Sequence, residues 1–287
     1  MAHLTLKGRL LLILRCLRLG LHLLWGAITV ATVYPLIRDT RRLWLKQRWS
    51  RQLLEIIGVR IDAQLSGVTP GSLFVSNHIS WLDIYALNAA RPMAFVSKAE
   101  VRSWPLIGWL SANTDTLFLS RDSRRQTKRV NAEMSEMLLA EKDVAIFPEG
   151  TTTEGTQLLH FHGALLQSAI DTGRPVQPVA LSYYDASGRR SLVPAYIGET
   201  SLGESLLAII TCGSLTVRLR PTPPLDSQSM TRRELANAAR GAIAFNLGLP
   251  GADDVAEPAH KPSREYQNPD QGSDGLDVER SKQAIAG

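Results

Sequence analysis

The chain has 287 residues and a formal net charge of +5 at pH 7, but that charge is unevenly placed. Residues 1–60 hold eleven Lys/Arg against two acidic residues, residues 61–250 hold seventeen of each, and residues 251–287 hold four basic and eight acidic. Two widely separated cysteines, Cys16 and Cys212, exclude a disulfide framework or a zinc-ligand cluster and suit a reducing compartment.

The first element is an apolar run from Leu19 to Ile37, flanked by Arg15 and Arg18 before it and by Arg38, Arg41 and Arg42 after it. Its 19 residues approach the length of a membrane span. Basic residues on both sides give no orientation bias, and Gly26 and Pro35 suit a bend, so the expectation is a re-entrant helix buried in one leaflet. An amphipathic helix should follow from Leu43 through Leu54. Trp44, Leu45, Trp49, Leu53 and Leu54 would anchor it, with Lys46, Arg48 and Arg51 on lipid head groups. A cleavable signal peptide fits less well, because the apolar stretch of the N-terminus is too long and too broken by arginines such as Arg15 and Arg18, and no small-residue cleavage site follows Pro35. A nucleic-acid partner is disfavoured for a related reason: the basic residues flank apolar residues and tryptophans, which suits lipid better.

Beyond this, strand and helix signals alternate. Strands are expected at Val59–Leu65, Leu73–Ser76, Met93–Val96, Thr116–Leu119, Val144–Ile146, Val176–Leu181 and Leu215–Leu219. Val130, Met134, Met137 and Leu138 form an apolar stripe on a helix between two of them, and Asn237 to Leu247 reads as the last helix. The pattern implies an α/β sandwich of one domain. Residues 1–57 are then a membrane-anchoring helical motif, 58–250 the catalytic domain, and 251–287 an acidic tail too polar to fold. There is no internal repeat and no glycine-rich dinucleotide loop.

Two stretches carry chemistry. In Asn77-His78-Ile79-Ser80-Trp81-Leu82-Asp83, a histidine leaves a strand five positions ahead of an aspartate. On one continuous helix the two would diverge by about 140°. With His78 in the loop and Asp83 in the first helical turn they can converge, and a carboxylate on one imidazole nitrogen frees the other to accept a proton. Ser80 and Asp83 also fit a helix capping box, so both readings of Asp83 stand. The second stretch, Phe147-Pro148-Glu149-Gly150-Thr151, follows another strand. Gly150 permits close backbone approach to a ligand there, and ligands collect beyond the carboxyl ends of strands in such sheets.

In these blocks the chain resembles the glycerolipid acyltransferases of the 1-acylglycerol-3-phosphate acyltransferase type. Thr116-Leu117-Phe118-Leu119-Ser120-Arg121 is similar to the family's second block and Val176-Gln177-Pro178-Val179-Ala180 to its fourth, so four blocks fall in family order. The chain departs at Asp115, where the family usually has glycine, and at His162, where it usually has a basic residue. The Thr151-Thr152-Thr153-Glu154-Gly155 loop looks more like the branch that acylates lyso-ornithine lipid.

The resemblance implies an α/β fold with a mixed sheet flanked by helices, and the following roles. His78 is the general base and Asp83 orients it. Arg121 pairs with an acceptor phosphate, and Phe147, Pro148, Glu149, Gly150 and Thr151 line the substrate site, with Glu149 on a glycerol hydroxyl or organising the loop. It implies no cofactor or metal, only acyl-CoA or acyl-carrier protein as co-substrate. The acyl group goes to the free hydroxyl of a lysolipid, first 1-acyl-sn-glycerol 3-phosphate to give phosphatidic acid, alternatively lyso-ornithine lipid. The location expected is the cytoplasmic face of the inner membrane. An inactive membrane-bound scaffold is the non-enzymatic alternative.

Overall fold

The computed structural model describes residues 6–120 and 123–250. Arg121 and the acidic tail 251–287 therefore lie outside the described residues. Helix α1 spans Leu6–Ile28; a π-helical turn over Thr29–Val33 and a 3₁₀ turn over Tyr34–Leu36 follow, and α2 spans Asp39–Ile57. The stretch Leu10–Leu36 is long and apolar enough to cross a membrane by length and composition. Leu10, Leu14, Leu17, Leu21, Trp25 and Ile28 are exposed along it.

The helical run tightens to a 3₁₀ turn at Pro35 and breaks at Ile37 and Arg38, which are both extended; Gly26 has no part in the break. Gly26 lies inside α1, where a Cβ would fall 2.5 Å from Trp49 Nε1. Its missing side chain lets α1 close on α2. Trp49 Nε1 donates to His22 O at 3.2 Å, His22 Nε2 donates to Trp49 O at 3.0 Å, and the two rings stack at 4.7 Å.

Helix α2 also differs from expectation. It starts at Asp39, an acidic residue suited to the positive end of the helix dipole, and closes on Gly58 in the left-handed region. Trp44 is exposed, but Leu53 and Leu54 are buried and Trp49 packs against the same core. Lys46, expected at head groups, is buried and donates to Met93 O and to Asp115 Oδ2. Arg51 Nε donates to Ala89 O. The apolar stripe of α2 thus covers protein, not lipid, because a packed partner buries it more completely.

Seven strands form one sheet: β1 Val59–Ala63, β2 Leu73–Ser76, β3 Ala94–Lys98, β4 Thr116–Leu119, β5 Val144–Ile146, β6 Val176–Tyr184 and β7 Leu215–Pro221. Their order is β1-β7-β6-β2-β5-β3-β4. The five from β6 to β4 run parallel; β7 is antiparallel to β6, and β1 is parallel to β7. Strands β6 and β7 outrun their expected ends because their pairing continues to Tyr184↔Thr216 and Val179↔Pro221. Strand β1 instead stops at Ala63, short of Leu65, and β3 is shifted toward Lys98.

The remaining helices are α3 Leu82–Ala90, α4 Ile107–Ala112, α5 Arg124–Leu139, α6 Gln167–Thr172, α7 Leu202–Thr211 and α8 Arg232–Leu247. The last begins earlier than the apolar pattern at Asn237 indicated, because Thr231 and Glu234 form a capping box around its first turn. Alternation along β2 separates two cores. Phe74 packs with Leu54, Leu82 and Ile209 on one side, whereas Leu73 and Val75 pack with Met134, Leu138 and Ile243 on the other. The result is a mixed sheet with helices on both faces, and the parallel strands β2, β5 and β6 deliver their outgoing loops to one end.

Candidate active site

Strand register brings the two motif loops together. Val75 of β2 pairs with Ile146 of β5, so His78 and Glu149 each lie three residues beyond the same rung. The His78 N–H donates to Glu149 Oε1 at 2.8 Å, and the Leu159 N–H donates to Glu149 Oε2 at 3.0 Å. The His78 carbonyl accepts from the Thr153 N–H at 2.8 Å. Both backbone groups of His78 are therefore fixed by the second loop. On the other flank, Asn77 extends the pairing beyond β2: its side chain donates to Leu181 O at 3.0 Å and accepts from Leu181 N at 2.9 Å.

The imidazole is set by Asp83, which is fully buried at the start of α3. Oδ2 of Asp83 accepts from the Ile79 N–H at 2.7 Å and the Ser80 N–H at 3.0 Å, and lies 2.8 Å from His78 Nδ1. An oxygen that accepts from two backbone N–H groups can only accept from the ring as well. The hydrogen-bond network thus assigns the hydrogen to Nδ1. Nε2 meets no partner among the described residues, and in the neutral ring it is the nitrogen that carries the lone pair. Both sequence readings of Asp83 hold at once, since one carboxylate organises the helix start and the imidazole.

The other oxygen, Oδ1, accepts from the Tyr183 hydroxyl at 2.7 Å. Burial, with the adjacent Asp83 carboxylate, pushes the Tyr183 phenol well above the usual tyrosine range, so it stays a donor. A buried carboxylate is costly unless its lone pairs are satisfied, and four donors satisfy this one. Tyr183 was missed in the sequence because β6 was expected to end at Leu181. Thr153 and Asn77 were likewise not singled out as clamps.

Phe147 stacks on the His78 ring with centroids 4.0 Å apart and planes 11° apart. It gives the imidazole one apolar wall, and the His78 side chain is 18% exposed. Pro148 O accepts from the His162 N–H at 3.0 Å, folding the loop after the third block back onto it. Gly150 takes a φ of 70°, which favours glycine, and Thr151 is exposed. Glu149 is buried and both its oxygens are engaged by backbone N–H groups, so it organises the loops. Burial pushes its carboxyl above the usual glutamate range, against the two hydrogen bonds that lower it.

Asp115 precedes β4 with a φ of 61°. That left-handed backbone accounts for the glycine expected there, and Asp115 tolerates it while pairing with Lys46 at 2.8 Å.

The arrangement is an oriented imidazole with one nitrogen unpartnered, fixed backbone on both sides and an apolar wall, which is chemically able to take a proton. Several known proteins are similar to this chain. A family model described as Acyltransferase matches residues 60–182. A lyso-ornithine lipid O-acyltransferase of Pseudomonas aeruginosa is 38% identical over 258 residues, covering 86% of this chain and 95% of that enzyme. A 1-acyl-sn-glycerol-3-phosphate acyltransferase of Neisseria meningitidis is 40% identical over 163 residues, 57% of this chain and 64% of that protein. The crystal structure of the 1-acyl-sn-glycerophosphate acyltransferase of Thermotoga maritima shares the fold, with a TM-score of 0.62 at 19% identity over 84% of this chain and 95% of that one. With 38% identity along nearly the full length of the Pseudomonas enzyme, the chain belongs to the acyltransferase family.

Proposed function

We propose that this acyltransferase moves a fatty acyl group from acyl-CoA or acyl-carrier protein to the free hydroxyl of a lysolipid, with His78 as general base. The observation that carries this reading is the free Nε2 of an imidazole whose Nδ1–H is held by Asp83. The acceptor hydroxyl gives its proton to Nε2 as its oxygen attacks the thioester carbonyl. The negative Asp83 carboxylate stabilises the imidazolium so formed. As the tetrahedral intermediate collapses, the carbon–sulfur bond breaks and the imidazolium returns the proton to the departing thiolate. General-base assistance of this kind is worth about 10²–10⁴-fold in rate. An inactive scaffold would have no use for so complete a set of contacts around one imidazole.

The first acceptor reading is 1-acyl-sn-glycerol 3-phosphate, with Arg121 pairing its phosphate bidentately. It is supported by the Neisseria relative and by the motif blocks. The second is lyso-ornithine lipid, whose head group carries a carboxylate and an amine. It is supported by the Pseudomonas relative, which matches along 95% of its length. Both lysolipids offered at equal concentration with one acyl donor separate the two through their kcat/KM ratio. Loss of a charged hydrogen-bonded pair costs about 1.5–3 kcal/mol. Arg121→Ala is therefore expected to impair the phosphate acceptor selectively, and equal effects on both would remove Arg121 from that role.

One apolar N-terminal helix and lipid-acylating relatives support membrane association. The orientation proposed, with the site at the cytoplasmic face, puts His78 where soluble acyl donors are found.

A further inference from the structure

The chain leaves β3 at the end of the sheet where His78 lies and returns along the sheet to the start of β4. A 3₁₀ turn over Ala99–Ser103 and helix α4 make this crossing. It carries Trp104, Leu106 and Trp109, which are 42%, 46% and 43% exposed. Neither indole N–H meets a partner among the described residues. Leu106 takes a φ of 60°, unusual for leucine, in an exposed position. Lys98 and Arg102 on this segment, and Arg124 and Arg125 at the start of α5, are exposed; Glu100 is the one acidic residue exposed between Lys98 and Trp109.

We infer that this segment is a second membrane contact, which seats the mouth of the site in the interface of an anionic bilayer so that the lysolipid enters without crossing water. Two observations support a bilayer as the occupant. Tryptophan suits the interface, where the ring is buried and the N–H meets carbonyls and water. The surrounding basic residues complement anionic lipid.

The kinetic consequence rests on the acyl-transfer reading; the insertion itself does not. The test uses full-length protein, with Cys16→Ser and Cys212→Ser, in vesicles of phosphatidylcholine and phosphatidylglycerol. A spin label is placed at Leu106→Cys or, as a control at the opposite end of the sheet, at exposed Ser66→Cys. Residue 106 is expected to be shielded from a water-soluble paramagnetic collider and open to oxygen, and residue 66 open to both. Equal access to the water-soluble reagent at both positions would overturn insertion. Shielding of residue 106 by an acidic acyl-carrier protein without vesicles, and not by vesicles, would overturn it too and make the surface a donor dock. As a second arm, Trp104→Ala/Trp109→Ala is expected to lose about tenfold in kcat/KM on vesicle-borne lysolipid relative to the same substrate in detergent micelles, from lost ring burial. An equal loss in both, or none, contradicts the delivery role. Wild-type protein that transfers no acyl group while residue 106 is shielded would count against the acyl-transfer reading and leave the contact standing.

Discussion

Tyr183 donates a 2.7 Å hydrogen bond to Asp83 Oδ1 from a strand 100 residues further along the chain. The carboxylate that orients His78 is therefore held from β6 as well as from its own helix. Tyr183→Phe leaves Oδ1 buried without that donor, at a cost of about 1–3 kcal/mol. Turnover is expected to fall with KM little changed, and the pH profile of kcat to shift, because the charge facing the imidazole is no longer neutralised from behind. A fall in thermal stability alone, with kcat and its pH profile intact, would confine Tyr183 to packing.

Asp83→Asn separates capping from charge. The amide oxygen can still accept from the Ile79 and Ser80 N–H groups, and the amide nitrogen can donate to the Tyr183 oxygen. The fold should persist with a small change in melting temperature, while turnover drops about 10²-fold or more because the imidazolium loses its counter-charge. Circular dichroism melts and acyl-transfer rates on one preparation check both halves.

The pH dependence of stability should carry the mark of Glu149. Burial raises its carboxyl above the usual glutamate range, so the folded chain binds this proton more tightly than the unfolded chain. Its contribution is complete below the ordinary glutamate value and is lost as pH rises through the raised value. Glu149→Gln should remove that part of the slope. It should also lower stability by about 1–3 kcal/mol, because glutamine cannot accept from both the His78 and Leu159 N–H groups. Denaturant midpoints across mildly acidic to neutral pH measure the slope.

At Asp115 two effects oppose each other. Asp115→Gly relieves a left-handed backbone worth about 1–2 kcal/mol, but deprives buried Lys46 of its carboxylate. Lys46 keeps Met93 O at 3.2 Å, and Asp115 is itself 40% exposed, so solvent screens the pair. Leaving a buried cation without its carboxylate still costs about 3 kcal/mol, so a net loss of about 1 kcal/mol is expected, or roughly 2–4 °C in melting temperature for a domain of this size. Adding Lys46→Met should restore it. A single variant more stable than the parent would mean that the strain outweighs the pair.

Several parts of the site were legible in the sequence because they are local. His78 and Asp83 meet across one strand-to-helix turn, and Pro35 marks the 3₁₀ turn that ends the N-terminal helical run. Contacts that depend on strand order were not. Glu149 reaches the His78 N–H only because β5 lies beside β2, and Tyr183 reaches Asp83 only because β6 runs on past Leu181. The π-helical turn at Thr29–Val33 left no local mark either. Helix α2 misled for a different reason: an apolar stripe with flanking Lys and Arg looks the same whether it meets lipid or a protein face. Lys46, turned onto Met93 and Asp115, shows which it met.

For the membrane, burial and charge can be told apart by salt. At about 1 M salt the screening length falls to about 3 Å, which removes head-group attraction but not burial of the exposed apolar face of α1. Full-length protein should stay with vesicles in a flotation assay under this condition, and removal of residues 1–40 should release it or render it insoluble. Quantitative release of the full chain by salt would show that its attachment is electrostatic.

The central claim is that the free Nε2 of His78 takes the acceptor proton. The direct measurement is the rate of diacyl product formation by His78→Ala with labelled acyl donor and a lysolipid, on protein shown to be folded and vesicle-bound. A loss of two or more orders of magnitude, roughly the range of general-base assistance, with parental melting and binding, is the predicted result. A near-parental rate in that variant would contradict the account.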